Sequence, residues 1–193
     1  MTKIQRVSRA FKYIFLILLT LIPTTNMVFW LLCVPPGFPF PEELLIEIFR
    51  LFNTPLAAMP HGSLTPTMKI AGFCGSFITS AMTMYALYSM IRLFNLYEKG
   101  FIFTKANVLW IRRAGWALLF SEFLSPIQQA VSTYVLTSAN AVGERFIAIS
   151  FGQIDITIMI VAFVVLLVSW IMEEGRHLDI EKKRLEEEQS LII

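Results

Sequence analysis

Residues 92–113, RLFNLYEKGFIFTKANVLWIRR, separate two long apolar stretches in the middle of the chain. This central segment carries five of the sixteen Lys and Arg residues and a single acid, Glu98. Short loops rich in Lys and Arg stay on the cytoplasmic side of a membrane. The position of the central segment therefore determines how the rest of the chain is arranged.

The composition is that of a membrane protein. Of the 193 residues, 56% are apolar and 16% are charged, whereas soluble domains carry about 25% charged residues. Four charge-poor stretches, at about 13–34, 70–91, 114–136 and 154–172, are each close to the ~20 residues that a spanning helix needs. The sequence predicts one all-α domain, an integral membrane four-helix bundle, followed by a charged tail at residues 173–193.

The cationic residues are distributed unequally between the segments outside these spans. Residues 1–12, 92–113 and 173–193 carry four, five and four Lys or Arg residues, thirteen in total. The other side, residues 35–69 and 137–153, carries three: Arg50, Lys69 and Arg145. By the positive-inside rule, both termini and the central segment are predicted to be cytoplasmic, in a bacterial inner membrane.

A short amphipathic helix is predicted after Pro41, which suits a first helical position. Apolar residues recur at helical spacing there: Leu44, Leu45, Ile48, Leu51 and Phe52. Such a helix can lie in the membrane interface or pack over the ends of the spanning helices, and the sequence leaves both open.

The second span carries two rows of small residues, Gly72, Ser76 and Ser80 on one and Gly75, Thr79 and Thr83 on the next. Small side chains let helix backbones approach closely in lipid. The second span is therefore predicted to lie at the centre of the bundle, with a ligand path along the same rows as the alternative.

Glu122 is the strongest candidate for a functional side chain within the membrane. It lies eight residues into the third span, about 12 Å into a core about 30 Å thick. An acid at such a depth costs roughly 2.5–3.5 kcal/mol on insertion scales, so it should face the protein interior. Ser125 and Gln129 share its face, and Thr83 and Tyr85 lie at similar depth. We expect a polar cluster serving as an interhelical hydrogen bond or as a proton, ion or ligand site.

Other chemistry has little support in the sequence. Cys33 and Cys74 both fall near the outer surface, where they could form a disulfide or remain two buried thiols. His61 and His177 are expected on opposite sides of the membrane, and no metal-ligand or catalytic motif is present. We expect no enzyme activity, no metal and no cofactor.

The central segment and the tail resemble a known protein family. The resemblance is carried by Leu93–Gly100, Ile102–Thr104, Asn107–Val108 and Ile111–Trp116, and in the tail by Glu173-Glu174-Gly175. These residues resemble those of a bacterial domain-of-unknown-function family, number twenty-nine seventy-five. The resemblance implies a four-span inner-membrane protein. It also implies a role in signalling, because some relatives resemble gene neighbours of small helix-turn-helix regulators.

The central segment can also be interpreted from its residues alone. Gly100 is suited to end one helix in the left-handed conformation, and Thr104 to cap the next. The segment is predicted to be an interfacial amphipathic region that sets the topology, or a docking surface for a cytosolic protein or an anionic lipid. The residues expected to matter are Tyr97, Gly100, Phe103, Thr104, Asn107, Arg112 and Arg113.

Two functions follow as hypotheses. The first is a regulatory or interaction protein that binds a cytosolic partner, such as a helix-turn-helix regulator, through the central segment and the tail without touching nucleic acid itself. The alternative is a small transporter or channel-like subunit that uses Glu122. Four spans make a small pathway, so the alternative requires a homo-oligomer.

Overall fold

The structure, a computed structural model, describes residues 3–32, 42–51, 54–101, 104–150 and 156–190. The described residues contain no strand. Their helices are α1 (Lys3–Leu32), α2 (Glu42–Leu51), a 3₁₀ turn (Leu56–Ala58), α3 (Pro66–Glu98), α4 (Lys105–Thr137) and α5 (Ile156–Ser190). The predicted all-α fold is confirmed.

Within the described ranges, three helices are long and apolar enough to cross a membrane: Lys3–Leu31, Pro66–Glu98 and Ile156–Gln189. They contain most of the predicted first, second and fourth spans. The predicted third span falls in α4, which has 33 residues. It does not belong to this group of three, because Glu122, Gln128 and Gln129 interrupt its apolar sequence.

Contacts between residues divide the chain into two compact units. Unit 1 comprises Met1–Leu18, Tyr85–Leu119 and Thr157–Ile193. Unit 2 comprises Leu19–Met84 and Phe120–Ile156.

The core of unit 2 is formed where α2 packs on α1. Phe49 of α2 is only 4% exposed and lies edge to face with Phe29 of α1, with ring centroids 5.8 Å apart. Both belong to an apolar cluster with Trp30, Leu64, Val135 and Leu136. Helix α2 thus packs on α1 through Phe49, and its position in the membrane interface stays a prediction.

The first small-residue row of α3 faces α1. An added Cβ at Gly72 would collide with the indole ring of Trp30. The indole Nε1 donates to Ser76 Oγ at 2.9 Å, and Ser76 Oγ donates to Asn26 Oδ1 at 2.9 Å. Asn26 Nδ2 then donates to Ser80 Oγ at 3.2 Å. We call Asn26, Trp30, Ser76 and Ser80 the asparagine network.

The second small-residue row of α3 faces α4. An added Cβ at Gly75 would collide with Val131, and the Thr79 hydroxyl lies 3.5 Å from the carbonyl of Leu124. Helix α3 therefore lies against α1 on one side and α4 on another within unit 2. Both contacts are made at the small residues, which permit close approach between helices as predicted, and the central position of the second span in the bundle stays a prediction.

Unit 1 is built in a similar way around α4 and α5. Gly115 of α4 lies against Leu166, and a Cβ added there would be 2.8 Å from that side chain. Leu119, Ala162 and Leu166 form a buried cluster. On α1 and α3, Phe11 and Phe15 stack on Phe94, with centroids 5.3 and 5.6 Å away.

We expect Gly72→Ala to destabilise the protein by about 1–3 kcal/mol, because the new methyl group must displace the Trp30 ring from a closely packed site. Unfolding in detergent micelles, followed by tryptophan fluorescence, measures the change. Gly175→Ala is the matched control. A Cβ there meets no atom within 4 Å, so the better helix propensity of Ala should leave stability unchanged or raise it by up to about 1 kcal/mol. Equal stability of the two variants would contradict the packing described.

Candidate functional site

The residues of the predicted polar cluster occupy different environments. Glu122, Ser125 and Thr83 are half-buried in unit 2, and Gln129 is fully buried there. Tyr85 belongs to unit 1 and is exposed. A site centred on Glu122 remains a prediction, and the contacts of Gln129 point to a further role for that side chain.

Gln129 is the first member of a row of buried polar side chains on α4 that we call the polar ladder: Gln129, Thr133 and Thr137. The backbone N–H of Ser150 donates to Gln129 Oε1 at 2.7 Å, and that of Ala148 donates to Thr133 Oγ1 at 3.0 Å. The Thr137 hydroxyl donates to the carbonyl of Phe146 at 3.0 Å. The segment 146–150 is thus fastened along α4 by hydrogen bonds to alternate residues.

The polar ladder can bind this segment because the spacing of its side chains matches that of an extended chain. Four residues of helix rise about 6 Å, and two residues of extended chain advance about 6.6 Å. A row at i, i+4 and i+8 on a helix therefore matches every second residue of an extended segment. The intervening Ile147 and Ile149 are exposed. The ladder therefore pairs backbone polar groups of this segment while its two isoleucine side chains face outward.

Removing one hydrogen bond of the polar ladder should make the segment 146–150 less stably held against α4. Thr133→Val keeps the shape of the side chain but leaves the Ala148 N–H without its acceptor, at a cost of about 1–3 kcal/mol. Hydrogen–deuterium exchange of a peptide covering residues 146–150 should become faster. Thr24→Val is the control, because the Thr24 hydroxyl bonds to carbonyls of its own helix, those of Thr20 and Leu21. Unchanged exchange in Thr133→Val would show that the ladder does not hold the segment.

In unit 1 the central segment forms a tight turn between α3 and α4. Gly100 has φ +86°, the left-handed conformation that Gly adopts at little cost. Its N–H donates to Tyr97 O at 3.0 Å, and the N–H of Phe101 donates to Leu96 O at 3.0 Å. These two bonds define a Schellman motif. Thr104 then caps α4, with its hydroxyl 3.4 Å from the N–H of Asn107. Both predicted roles are confirmed, while Phe103 lies outside the described residues.

Asn107 ties the two sides of this turn together. Its side chain is fully buried, and its Nδ2 donates to the carbonyl of Phe101 at 2.7 Å. Tyr97, half-buried, packs edge to face on Phe94 with centroids 6.0 Å apart. Gly100, Thr104 and Asn107, three of the residues predicted to matter, thus hold the turn in shape.

Arg112 links the central segment to the base of the tail. Its guanidinium forms an ion pair with Glu173 of α5. Its Nε lies 3.4 Å from Ser169 Oγ, and that hydroxyl lies 3.3 Å from the carbonyl of Val108. Arg112 is therefore engaged inside the protein, although the sequence placed it beside Arg113 as an equivalent cation.

Arg113 has different surroundings. Its guanidinium carbon lies 4.7 Å from the centroid of the Trp110 ring, and that of Arg92, on α3, lies 5.5 Å from the same centroid. Tyr88 meets the same indole edge to face at 5.9 Å. We call Arg92, Trp110 and Arg113 the tryptophan–arginine cluster. Trp110 was not among the residues predicted to matter. Its signal in the sequence is an aromatic residue three positions before the second of two adjacent arginines.

Glu98, the lone acid of the central segment, neutralises two cations of α1. Its carboxylate accepts from Arg9 Nε at 2.7 Å and from Lys12 Nζ at 2.5 Å. The N-terminal basic residues are therefore partly paired to the end of α3.

The Arg112–Glu173 pair should show measurable coupling. A double-mutant cycle of Arg112→Gln and Glu173→Gln is expected to give about 1 kcal/mol, because both side chains are only about a third exposed, 32% and 38%. The Lys182–Glu186 pair, on a fully solvated stretch, is the control and should give less than about 0.5 kcal/mol. Unfolding in detergent measures both cycles, and equal coupling energies would contradict the distinction between them.

Cys74 is a free and exposed cysteine, so the prediction of a buried thiol is wrong for this residue. Cys33 lies outside the described residues. Among the described residues, no group of three or more His, Cys, Asp or Glu side chains could hold a metal ion.

Comparison with known proteins identifies the family. A family model matches residues 25–193, which include the central segment and the tail. The chain belongs to this family, Protein of unknown function (DUF2975). The DUF2975 match confirms the resemblance inferred from the motifs, and it covers the asparagine network and the polar ladder as well. Searches of curated proteins and of solved structures found no match.

Proposed function

We propose that this DUF2975 protein is a regulatory or interaction protein of the bacterial inner membrane that binds a cytosolic protein through its tail and central segment. It has four spans, and both of its termini are cytoplasmic. The arrangement of charge supports this topology, with thirteen cationic residues on one side and three on the other. The length of α4 supports the third span, at 114–136, since 33 helical residues extend about 50 Å.

The observation that carries the proposal is the length of α5. The helix has 35 residues and so extends about 52 Å, which exceeds an apolar core about 30 Å thick. Its first half is apolar and its second half is charged and exposed. The charges of this second half pair with each other along the helix, as Lys183 does with Asp179 at 2.8 Å and Arg184 with Glu188 at 3.2 Å.

The tail also carries apolar side chains that these pairs do not cover. Leu178 and Leu185 are exposed and lie seven residues apart, on one face of the helix. A stripe of this kind on a charged helix is suited to docking in the apolar groove of a partner. The Arg112–Glu173 ion pair fixes the base of the tail to the central segment, so one partner can contact both.

A helix-turn-helix regulator is the partner class that the family resemblance favours. The membrane protein would then hold the regulator at the membrane by protein contacts, without binding nucleic acid itself.

Site-specific photocrosslinking in living cells tests the proposal. A benzophenone amino acid placed at Leu185 and, separately, at Lys105 of the central segment should capture the same soluble protein, identified by mass spectrometry. Leu178→Ser combined with a crosslinker at Lys105 should reduce that capture several-fold, because the tail contact is weakened while the crosslinker is unchanged.

Ile180 supplies the control position. It is exposed but points about 200° away from Leu178 around the helix, so a crosslinker there should capture the partner weakly. Capture of different proteins from Leu185 and Lys105, or equal capture from Ile180, would contradict a shared docking surface. Capture of a second copy of this chain would indicate a homo-oligomer instead.

The alternative of a transporter or channel-like subunit retains Glu122 as its candidate residue, half-buried in α4. It requires solute or ion flux in liposomes that is lost in Glu122→Gln.

A further inference from the structure

The tryptophan–arginine cluster concentrates positive charge at one place on the surface of unit 1. The guanidinium carbons of Arg92 and Arg113 lie 5.5 and 4.7 Å from the same ring centroid, so they are no further apart than the sum of these two distances. Both arginines are exposed. Attraction to the indole holds each guanidinium in a defined place, but it does not neutralise the charge.

Two acids of unit 1 are engaged with other cations. Glu98 accepts from Arg9 and Lys12, and Glu173 pairs with Arg112. The described part of the chain gives neither Arg92 nor Arg113 a carboxylate partner. Two cations that share one aromatic ring and lack a carboxylate partner favour an external anion at the same surface.

The side chains around the cluster indicate what kind of anion fits. Tyr88 lies one turn before Arg92, toward the predicted span 70–91, and is 41% exposed. Trp116 lies one turn after Arg113, toward the predicted span 114–136, and is 48% exposed. On both helices, therefore, a cation near the end of the apolar stretch is followed by an exposed aromatic ring one turn deeper.

This order of side chains, with a cation first and an aromatic ring one turn deeper, matches a phospholipid, which has its charged phosphate at the surface and its acyl chains below. Exposed aromatic rings are favoured at the headgroup level, and basic residues beside them attract anionic lipid. A free phosphate ion would gain nothing from Tyr88 and Trp116.

We propose that Arg92 and Arg113, positioned by Trp110, bind the phosphodiester headgroup of an anionic phospholipid. Each planar guanidinium can offer two parallel N–H donors to phosphate oxygens. The lipid glycerol and upper acyl chains then lie against Tyr88 and Trp116. This site is independent of any cytosolic partner.

Native mass spectrometry of the full-length protein, released from detergent micelles, tests the site. Dioleoyl phosphatidylglycerol is titrated against the wild type and the Arg92→Gln/Arg113→Gln variant, and the apparent dissociation constant should rise by about tenfold or more. Lys3→Gln/Arg6→Gln is the matched control. It removes the same charge from two exposed residues at the start of α1, and it should change the constant less than about twofold.

A second variant, Arg92→Lys/Arg113→Lys, keeps the charge but loses the planar fork of donors, and it decides the question even if the Gln variant does not fold. It should bind phosphatidylglycerol about threefold or more weakly than the wild type. Unchanged affinity in this variant, equal losses in the two Gln variants, or equal binding of dioleoyl phosphatidylcholine would overturn the proposal. Competition by millimolar inorganic phosphate would assign the site to a free anion instead.

Discussion

Pairing of backbone and side-chain polar groups within the protein is the constraint on which the rest of this structure depends. A chain surrounded by lipid has no water to satisfy an open N–H or carbonyl. The polar ladder of α4 pairs the backbone of the segment 146–150, which is not helical and lies against that helix. The asparagine network pairs polar side chains of α1 and α3. Buried polar side chains here are thus structural elements before they are candidates for chemistry.

The same constraint bears on the interpretation of the intramembrane candidates. A glutamine deep in a predicted span can be regarded as part of a ligand site, as Gln129 was from its position on the face of Glu122. Its amide oxygen, however, is an acceptor for the N–H of Ser150. Glu122 differs from Gln129. Packing of apolar helices does not require a carboxyl group at this position, since a neutral hydrogen-bonding side chain would cost less at that depth.

Within unit 1, ion pairs divide the cations into two classes. Arg112, Arg9 and Lys12 are neutralised by Glu173 and Glu98, and they hold helices together. Arg92 and Arg113 are held on an indole ring, where their charge faces outward. A count of positive residues treats all five as equal, which is sufficient to predict the orientation of the chain in the membrane. Which of them can bind something else depends on where the few acids lie, and that is a matter of tertiary contacts.

The sequence by itself determined the helical class, the positions of the apolar segments and the turn at Gly100 and Thr104. Each of these depends on local properties: apolar length, the left-handed conformation of glycine and the capping hydroxyl. It also predicted that α3 is central, because its small residues recur at spacing four. Only the tertiary structure decided that α2 packs through Phe49, that Gln129 secures an extended segment, and that Arg112 and Arg113 have separate roles. Those outcomes depend on residues up to 61 positions away, whose proximity no local pattern encodes.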